Sequence, residues 1–433
     1  MLILTIALAG CGSSSDDSTG TDTAKAKKST APPAPADEYK KFQSPYADVD
    51  QQNTRDARSG LRAANVSKLE EAWSRPIEGT GKGEGFVASP IVTDDIVFIQ
   101  DLDSNVAALD LRDGKPYWER KFDAPALPPG GLSVSRGFQM VMGATPTEAF
   151  GLEERTGKVV WRTPLAEAGT KIGMTPGYYN GYAYFGTQPV DRSGARGVLW
   201  GLDVRYGAKR LRFEPGKRGG DLGRGLAGLP AFDLTGSVYV GTGSPGPGSV
   251  LRMDETNGKL VWNHRVAPAG RSSGAWDPVV AKLGGKKTVV VADRSGQVVA
   301  LNRSGKVLWQ HYTGSEVVGP VAVTGRTVFV PTGDGRQGFL MALSLSDGTL
   351  QWKHGFQSSL AGPVLATNDL VFTTAADGRV YALGAESGKK LWSDKPSSAA
   401  EGGLAVGSQT LLVRVGIPGS DPGPELVAYR LAG

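Results

Sequence analysis

In this 433-residue chain, the side chains best suited to binding a metal ion or acting as a general base are those of three histidines, His264, His311 and His354. Each stands two residues after a tryptophan in a repeated segment, so they occupy one position in three consecutive repeats. Equivalent positions of successive repeats lie apart, whereas a metal site needs ligands that converge on one point. The spacing therefore excludes one ion bound by all three, and the position of each histidine at the rim of its repeat also excludes a histidine-based hydrolytic triad at a central channel.

A glycine-rich stretch, residues 215–230, combines six glycines with the basic residues Lys217, Arg218 and Arg224. A phosphate-binding loop would also need a preceding strand and a following helix that carries Lys and then Ser or Thr, and the sequence lacks that arrangement. We therefore predict a long connection between repeats. It either contributes these three basic side chains to a partner-binding surface or is a solvated loop.

Composition and charge favour a globular protein with many turns and give no support for a nucleic-acid partner. Hydrophobic residues make up 39% of the chain, beside 61 glycines and 27 prolines. The formal charge is +5 and the isoelectric point is near 9.1. Acidic and basic residues are interleaved throughout, so the chain has no basic tract of the kind that binds nucleic acid.

The single cysteine, Cys11, lies in the segment IALAGCGSSSDDST. The small residues before it and the polar run after it resemble the lipobox of bacterial lipoproteins, in which the cysteine becomes the lipidated N-terminus. Residues 1–10 are too short to span a bilayer and lack the Lys or Arg expected at the start of a signal peptide, so we expect translation to begin upstream of Met1. The alternative is a chance apolar N-terminus with an ordinary buried cysteine.

A lipid on Cys11 would anchor the protein outside the cytoplasm, on the cell membrane or on an outer membrane where the cell has two. A chain with one cysteine can form no internal disulfide. After the cysteine, residues up to 45 are mostly Ser, Thr, Asp, Lys, Ala and Pro, which cannot bury enough apolar surface to become ordered. We predict a signal peptide over residues 1–10, a lipidated cysteine and flexible tether over 11–45, and a folded body over 46–433.

The repeated unit is clearest near the C-terminus. Its strands are predicted in GPVLAT (362–367), LVFTTA (370–375), RVYALG (379–384) and SGKKLWS (387–393), with an Asp-Gly hairpin turn between the second and third. Four short strands in each repeat are typical of a blade of a β-propeller, so the fold class is all-β.

In each unit a large apolar residue stands four positions after a turn glycine, at a position we call the slot. The slot residues are Trp118, Trp161, Leu211, Trp262, Trp309, Trp352 and Trp392. Trp73 fits the slot but has no strands of its own before it, while the C-terminal strands lack a final glycine and tryptophan. We therefore predict that the strand around Trp73 completes the last blade, which closes a ring of eight blades and removes its open edges.

The slot tryptophans are best explained by architecture. Seven of the nine tryptophans in the chain lie in the slot. A flat indole on each outer strand can pack between neighbouring blades and donate its N–H to the adjacent backbone, and the glycine makes the turn before it. The motif therefore predicts structural docking and no catalytic activity.

Residues 50–433 resemble the tryptophan-docking repeats of the pyrroloquinoline-quinone (PQQ) propeller superfamily. The likeness to its alcohol dehydrogenases is carried by NTRDARSGLRAANVSKLEEAWS (53–74), RGVLWGLDVRYGAKRLRFEPG (196–216) and YVGTGSPGP (239–247). A second branch holds cofactor-free scaffolds similar to the outer-membrane assembly lipoprotein BamB. The resemblance implies an eight-bladed propeller with ancestry near the dehydrogenases, while activity depends on the site residues.

The dehydrogenases hold PQQ over a central Ca²⁺ with an acidic residue, an asparagine and an aspartate base. Here the asparagine of the family's GTGN pattern is Ser244, a poorer ligand for a hard cation. The family's glutamate falls on Arg192, although Asp191 is adjacent, and the base corresponds to Asp277 without its usual acidic neighbours. The vicinal disulfide beside PQQ cannot form with one cysteine, and a CxxCH haem motif is absent. Together these departures indicate a lost active site.

We therefore predict a monomeric, lipid-anchored propeller outside the cytoplasm that serves as an interaction scaffold for a cell-envelope protein and needs no cofactor. The alternative is a PQQ- and Ca²⁺-dependent dehydrogenase, which requires Asp191, Ser244 and Asp277 to converge at the mouth of the central channel. A sensor that binds a small ligand in that channel is a third hypothesis.

Overall fold

Short runs of β-branched and aromatic residues, separated by glycine-containing turns, form antiparallel strands in every repeat. The computed structural model describes residues 59–77, 89–124, 131–135, 137–190, 195–215, 225–243, 248–266, 274–367, 369–400, 402–417 and 420–432. Within these ranges the strands form eight separate sheets, one for each blade. The prediction of an all-β, eight-bladed propeller is confirmed.

The first half of the ring follows a short 3₁₀ helix, Val66–Lys68, and strand β1, Leu69–Pro76. Blade 1 consists of β2 to β5: Ile91–Thr93, Ile96–Gln100, Val106–Asp110 and Pro116–Arg120. Blade 2 consists of β6 to β9: Ser133–Ser135, Met140–Ala144, Glu148–Glu153 and Val159–Pro164. Blade 3 consists of β10 to β14: Thr170–Ile172, Gly177–Tyr179, Tyr182–Pro189, Leu199–Asp203 and Lys209–Phe213. Blade 4 consists of β15 to β18: Gly225–Phe232, Ser237–Gly243, Ser249–Asp254 and Leu260–Arg265.

The second half repeats the same plan. Blade 5 consists of β19 to β22: Val279–Leu283, Lys286–Ala292, Gln297–Asn302 and Val307–Tyr312. Blade 6 consists of β23 to β27: Glu316–Val317, Ala322–Thr324, Thr327–Gly333, Gly338–Ser344 and Leu350–Phe356. Blade 7 consists of β28 to β31: Leu365–Ala366, Leu370–Thr374, Val380–Gly384 and Lys390–Asp394. Blade 8 consists of β32 to β34, Leu404–Gly407, Thr410–Val415 and Glu425–Leu431, together with β1.

The two ends of the folded body meet in blade 8. Strand β1 pairs antiparallel with β34, from Leu69 opposite Leu431 to Pro76 opposite Glu425. The predicted closure by the strand around Trp73 is therefore confirmed. Because every blade then has a neighbour on both sides, no blade face is left uncovered.

The hydrophobic core of this protein lies between blades. Eight clusters of buried apolar side chains occur in the described residues, and each is shared by two consecutive blades. The first strands of neighbouring blades contact one another around the centre, while the last strands alternate exposed and partly buried residues at the rim. No helix in the described ranges is long and apolar enough to cross a membrane.

Each outer strand carries a one-residue bulge beside its slot. The register between the third and fourth strands shifts there in all eight blades, for example between Gly151 and Leu152 opposite Trp161. A bulge bends the strand and increases its twist. The slot side chain is thereby turned toward the next blade.

Candidate functional site

The seven slot tryptophans join consecutive blades at seven of the eight junctions. Each indole Nε1 donates a hydrogen bond of 2.8–3.1 Å to a backbone carbonyl of the following blade. The donor and acceptor pairs are Trp73 and Leu111, Trp118 and Glu154, Trp161 and Val204, Trp262 and Arg303, Trp309 and Leu345, Trp352 and Ala385, and Trp392 and Leu69.

The turn glycine of the following blade receives the indole. Six of the seven indoles pack on such a glycine, and a Cβ added to it would lie 2.4–2.9 Å from the ring of the tryptophan in the preceding blade. These six glycines also adopt positive φ angles between 64° and 84°. These receiving glycines are Gly114, Gly157, Gly207, Gly305, Gly348 and Gly388. Glycine is therefore required for two reasons: the backbone has a positive φ, and the indole ring leaves no room for a Cβ.

The junction between blades 3 and 4 lacks this device. Leu211 occupies the slot of blade 3, and the receiving Gly258 keeps a φ of +65°. A Cβ at Gly258 would meet only the Arg212 carbonyl at 3.7 Å and Phe213 at 4.0 Å. The place that an indole occupies at the other slots is open here.

Other contacts hold blades 3 and 4 together. Asn180 Nδ2 donates to the buried Glu255 carboxylate at 2.8 Å, and burial raises the pKa of Glu255. The rings of Tyr179 and Phe232 stack with centroids 5.2 Å apart. The buried hydroxyl of Tyr184 has no hydrogen-bond partner within the described part of the chain, and burial raises its pKa well above the usual value. This junction relies on a ring stack between inner strands and on a side-chain bond that reaches the turn before the outer strand β18.

Asp277, the candidate base, lies where the inner strands of blades 4 and 5 meet. It stands two residues before β19, and its side chain is 8% exposed. The carboxylate lies against Gly228 of blade 4, where a Cβ would come within 1.8 Å of Oδ1. The backbone N–H of Leu229 donates to the carboxylate. Asp277 therefore links two blades at the inner wall of the propeller.

Burial raises the pKa of Asp277 to about 7, although the backbone N–H groups of Leu229 and Asp277 oppose part of this shift. A carboxyl group that titrates near neutrality can act as a general base. The raised pKa is therefore compatible with catalysis.

The corresponding residue of blade 1 shows that this position also has a purely structural use. Ser89 stands two residues before β2 and is 7% exposed. Its hydroxyl accepts the backbone N–H of Leu404 from blade 8 at 3.3 Å. Ser89 and Asp277 thus both accept a backbone N–H from the preceding blade. The Asp277 carboxylate thus has a structural contact with blade 4, on Gly228 and Leu229, whatever other role it has.

Most of the other predicted site residues lie outside the described residues. These are Cys11, Asp191, Arg192, Lys217, Arg218, Arg224 and Ser244. Convergence of Asp191, Ser244 and Asp277 remains a prediction. The described strand ends that flank three of the gaps, at Val190, Gly225 and Gly243, lie on the face of the ring from which β19 starts, because consecutive strands run antiparallel. We call this side the loop face.

The three histidines lie on consecutive outer strands, His264 on β18, His311 on β22 and His354 on β27. Each faces a different partner residue on its own third strand. Burial lowers the pKa of His264 and His354. Among the described residues no three His, Cys, Asp or Glu side chains are grouped closely enough to hold a metal ion.

One buried polar network was not anticipated from the sequence. Asp233 of blade 4 is fully buried and accepts Arg303 Nε from blade 5 at 2.8 Å. Bonds from Arg303, Thr235 and Ser237 outweigh its burial and lower the pKa of Asp233 to about 2. Since Trp262 donates to the carbonyl of Arg303, this network supports the same blade junction as the indole. A lone arginine in a turn carries no sequence signal for such a role.

Comparison with known proteins identifies the family. The family model described as outer membrane protein assembly factor BamB matches residues 54–188, 246–339 and 318–432. A quinohemoprotein alcohol dehydrogenase of Comamonas testosteroni is 25% identical over 326 residues, which cover 60% of this chain and 45% of that protein. The chain spans about half the length of the curated relatives it matches.

Solved structures of both kinds share the fold. The quinohemoprotein alcohol dehydrogenase ADHIIG of Pseudomonas putida HK5 superposes with a TM-score of 0.76 at 18% identity, covering 93% of this chain and 83% of that one. BamB of Moraxella catarrhalis gives a TM-score of 0.59 at 16% identity, covering 84% of this chain and 99% of that one. With the family model matched across most of the ring, the chain belongs to the family of PQQ-like β-propellers described by the assembly factor BamB.

Proposed function

We propose that this propeller is an interaction scaffold of the cell envelope, held outside the cytoplasm by a lipid on Cys11 and acting as a monomer without a cofactor. Its partner would be a cell-envelope protein that docks on the loop face. The family model supports this class of function, because it describes an outer membrane protein assembly factor.

The observation that carries the proposal is the position of Asp277. Its carboxylate rests on Gly228 and accepts the N–H of Leu229, so it connects blades 4 and 5. In the sequence, Ser244 and Arg192 replace the ligands that the dehydrogenases provide. A rigid ring whose central carboxylate serves the architecture is suited to presenting a surface.

The loop face around blades 3 to 5 is the proposed docking surface. The long connections of the chain leave the ring there, beside Val190, Gly225 and Gly243. Long insertions in repeat proteins map to loops on one face, which is often the binding face. Lys217, Arg218 and Arg224 belong to one of these connections and would contribute positive charge to the surface.

One observation favours the dehydrogenase as a second candidate. The pKa of about 7 for Asp277 is what a general base needs near neutral pH. On this hypothesis PQQ would supply the oxidising group, and Asp277 would accept the substrate proton. Relatives named as quinohemoprotein alcohol dehydrogenases make it a concrete alternative.

Thermal unfolding of the full chain, with and without PQQ and Ca²⁺, separates the two candidates. A ligand that binds the native state must raise the melting temperature in a concentration-dependent manner. The scaffold proposal predicts no shift at saturating PQQ and Ca²⁺. A clear upward shift that Asp277→Asn abolishes would overturn it and establish the dehydrogenase hypothesis.

Site-specific crosslinking in cells tests the docking surface directly. A photoreactive residue placed at Val190 on the loop face should capture a cell-envelope protein, and replacing Lys217, Arg218 and Arg224 together by serine should reduce that capture. The same probe at Tyr117, on the outer rim of blade 1, is the matched control. Equal capture from both positions would contradict a specific loop-face partner.

A further inference from the structure

The rim of the propeller consists of eight outer strands, each with one edge that no other strand of the described residues covers. Such edges present unpaired backbone N–H and C=O groups, and proteins protect them with charged residues or proline. Seven of the eight follow this rule. Their protecting residues include Glu71 and Pro76 on β1, Glu119 and Arg120 on β5, Arg162 and Pro164 on β9, Lys209 and Arg212 on β14, Arg265 on β18, Lys353 on β27, and Lys390 and Asp394 on β31.

The outer strand of blade 5, β22, is the exception. Its sequence VLWQHY contains no Asp, Glu, Lys, Arg or Pro. It also exposes three large apolar side chains, Val307 at 37%, Leu308 at 47% and Tyr312 at 56%. On the other outer strands of the described structure at most one large apolar side chain is exposed to this degree. The strand thus combines an open edge with apolar side chains that face solvent.

The strand is already held in an extended conformation. Trp309, at its centre, is buried and donates its Nε1 hydrogen to the Leu345 carbonyl at 2.8 Å. Its inner edge pairs with β21 from Leu301 to Gln297. A segment that adds to the outer edge therefore gains backbone hydrogen bonds without any ordering of β22, which lowers the entropic cost of binding.

Charge indicates the occupant. The outer strands on both sides of β22 carry Arg265 and Lys353 and no acidic residue, and Lys306 precedes β22. Two copies of this chain paired edge to edge would bring these like charges together. An extended segment with apolar and acidic residues would complement both the apolar side chains and the basic flanks.

We propose that the outer edge of β22 is a strand-addition site for an extended segment of a partner protein in which apolar residues alternate with acidic or small polar ones. The site extends the proposed scaffold function to a surface other than the loop face. It depends on neither PQQ nor the loop-face partner, so the two proposals succeed or fail in different experiments.

Fluorescence anisotropy with the full chain tests the site. The probe is a fluorescein-labelled peptide, Val-Glu-Val-Thr-Val-Glu-Val-Thr. Leu308→Lys places on β22 the kind of charge that the other edges carry, and it should weaken binding at least tenfold. Leu350→Lys on β27 is the matched control, because Leu350 is 48% exposed on a strand that already has Lys353. It should leave binding unchanged.

Two further peptides separate strand pairing from simple attraction. Methylation of the backbone nitrogens at alternate residues removes the donors and should abolish binding, whereas lysine in place of glutamate should weaken it at least fivefold. Equal binding of the methylated peptide, or equal loss with Leu350→Lys, would overturn the proposal. So would sedimentation showing a dimer of this chain that Leu308→Lys dissociates, because the edge would then belong to a second copy.

Discussion

Two neighbouring junctions of the ring have the same backbone frame and different contents. Between blades 2 and 3, Trp161 stacks over Gly207 and donates to the Val204 carbonyl at 2.8 Å. Between blades 3 and 4, Leu211 leaves Gly258 open. Both glycines adopt nearly the same φ, +64° and +65°. The turn conformation therefore does not depend on the indole that it receives.

The two junctions differ in which contacts join their blades. At the first junction a buried indole ties the outer strand to the next blade. At the second, the Tyr179–Phe232 stack joins inner strands, and Asn180, beside an inner strand, bonds to Glu255 in the turn before the outer strand β18. The ring thus tolerates an open outer slot where other contacts join the two blades, and this junction lies beside Asp277 and the long connections of the loop face.

The largest expected effect comes from removing the slot side chains. Trp161→Ala should lower the free energy of unfolding by about 4 kcal/mol, because it removes a buried indole and its hydrogen bond. Leu211→Ala should lower the free energy of unfolding by about 2 kcal/mol, because Leu211 is partly exposed and its side chain makes no hydrogen bond. Urea unfolding of both variants measures the difference. Equal losses would show that the two junctions are not held differently.

The receiving glycines provide a matched pair with a smaller expected effect. Gly258→Ala should cost about 1 kcal/mol, because alanine is strained at positive φ. Gly207→Ala carries the same strain and also places its Cβ 2.6 Å from the Trp161 ring, so it should cost about 3 kcal/mol. Urea unfolding again gives the measurement. In the Trp161→Ala background, the cost of Gly207→Ala should fall toward that of Gly258→Ala but stay above it, because the added Cβ still meets Thr163 Oγ1 at 2.7 Å.

At the inner wall, the contact that Asp277 makes between blades 4 and 5 should make the free energy of unfolding depend on pH. The pKa of Asp277 is raised from 3.8 to about 7 in the folded state, so the protonated group is favoured by folding. Its contribution to stability is full below pH 4 and is lost as pH rises through about 7. Between pH 5 and pH 8.5 the native chain should lose about 2 kcal/mol more than Asp277→Asn does. Parallel pH profiles of unfolding for the two proteins would contradict this assignment.

The smallest effect tests whether the open slot can be filled. Leu211→Trp should place an indole over Gly258 and raise the free energy of unfolding by about 1 kcal/mol. The gain should disappear when Gly258→Ala is also present, because the added Cβ would meet the new ring. A double-mutant cycle by urea unfolding measures this coupling. Additive effects would mean that the indole does not occupy the slot.

Much of the fold could be predicted from the sequence, because each sequence repeat of a propeller has the same pattern of strands and turns. The glycine and tryptophan pattern predicts the number of blades, and the orphan Trp73 predicts how the ring closes. The second role of glycine could not be read from the pattern. Gly207 serves Trp161 of the previous repeat, and that relation appears only when two blades are packed together.

The site could be predicted in part. Resemblance pointed to Asp277 as the candidate base, which stays a prediction, and the structure adds that burial raises the pKa of this carboxyl group. Its contact with Gly228 could not be anticipated, because the two residues belong to different blades and the approach depends on a missing Cβ. The sequence VLWQHY shows that β22 lacks charged residues and proline. That this strand forms an exposed edge follows only once the structure shows which strand of each repeat lies outermost.

The pairing of β1 with β34 has a consequence for how the protein is made. Residues of β1, at the start of the ring, pair only with β34, the last strand of the ring to be synthesised. Blades 1 to 7 can pair their own strands as synthesis proceeds, since each is local in sequence. Blade 8 cannot, because β1 has no partner strand until β34 has been synthesised. Charged residues such as Glu70, Glu71 and Arg75 on β1 are of the kind that protects an unpaired strand from association.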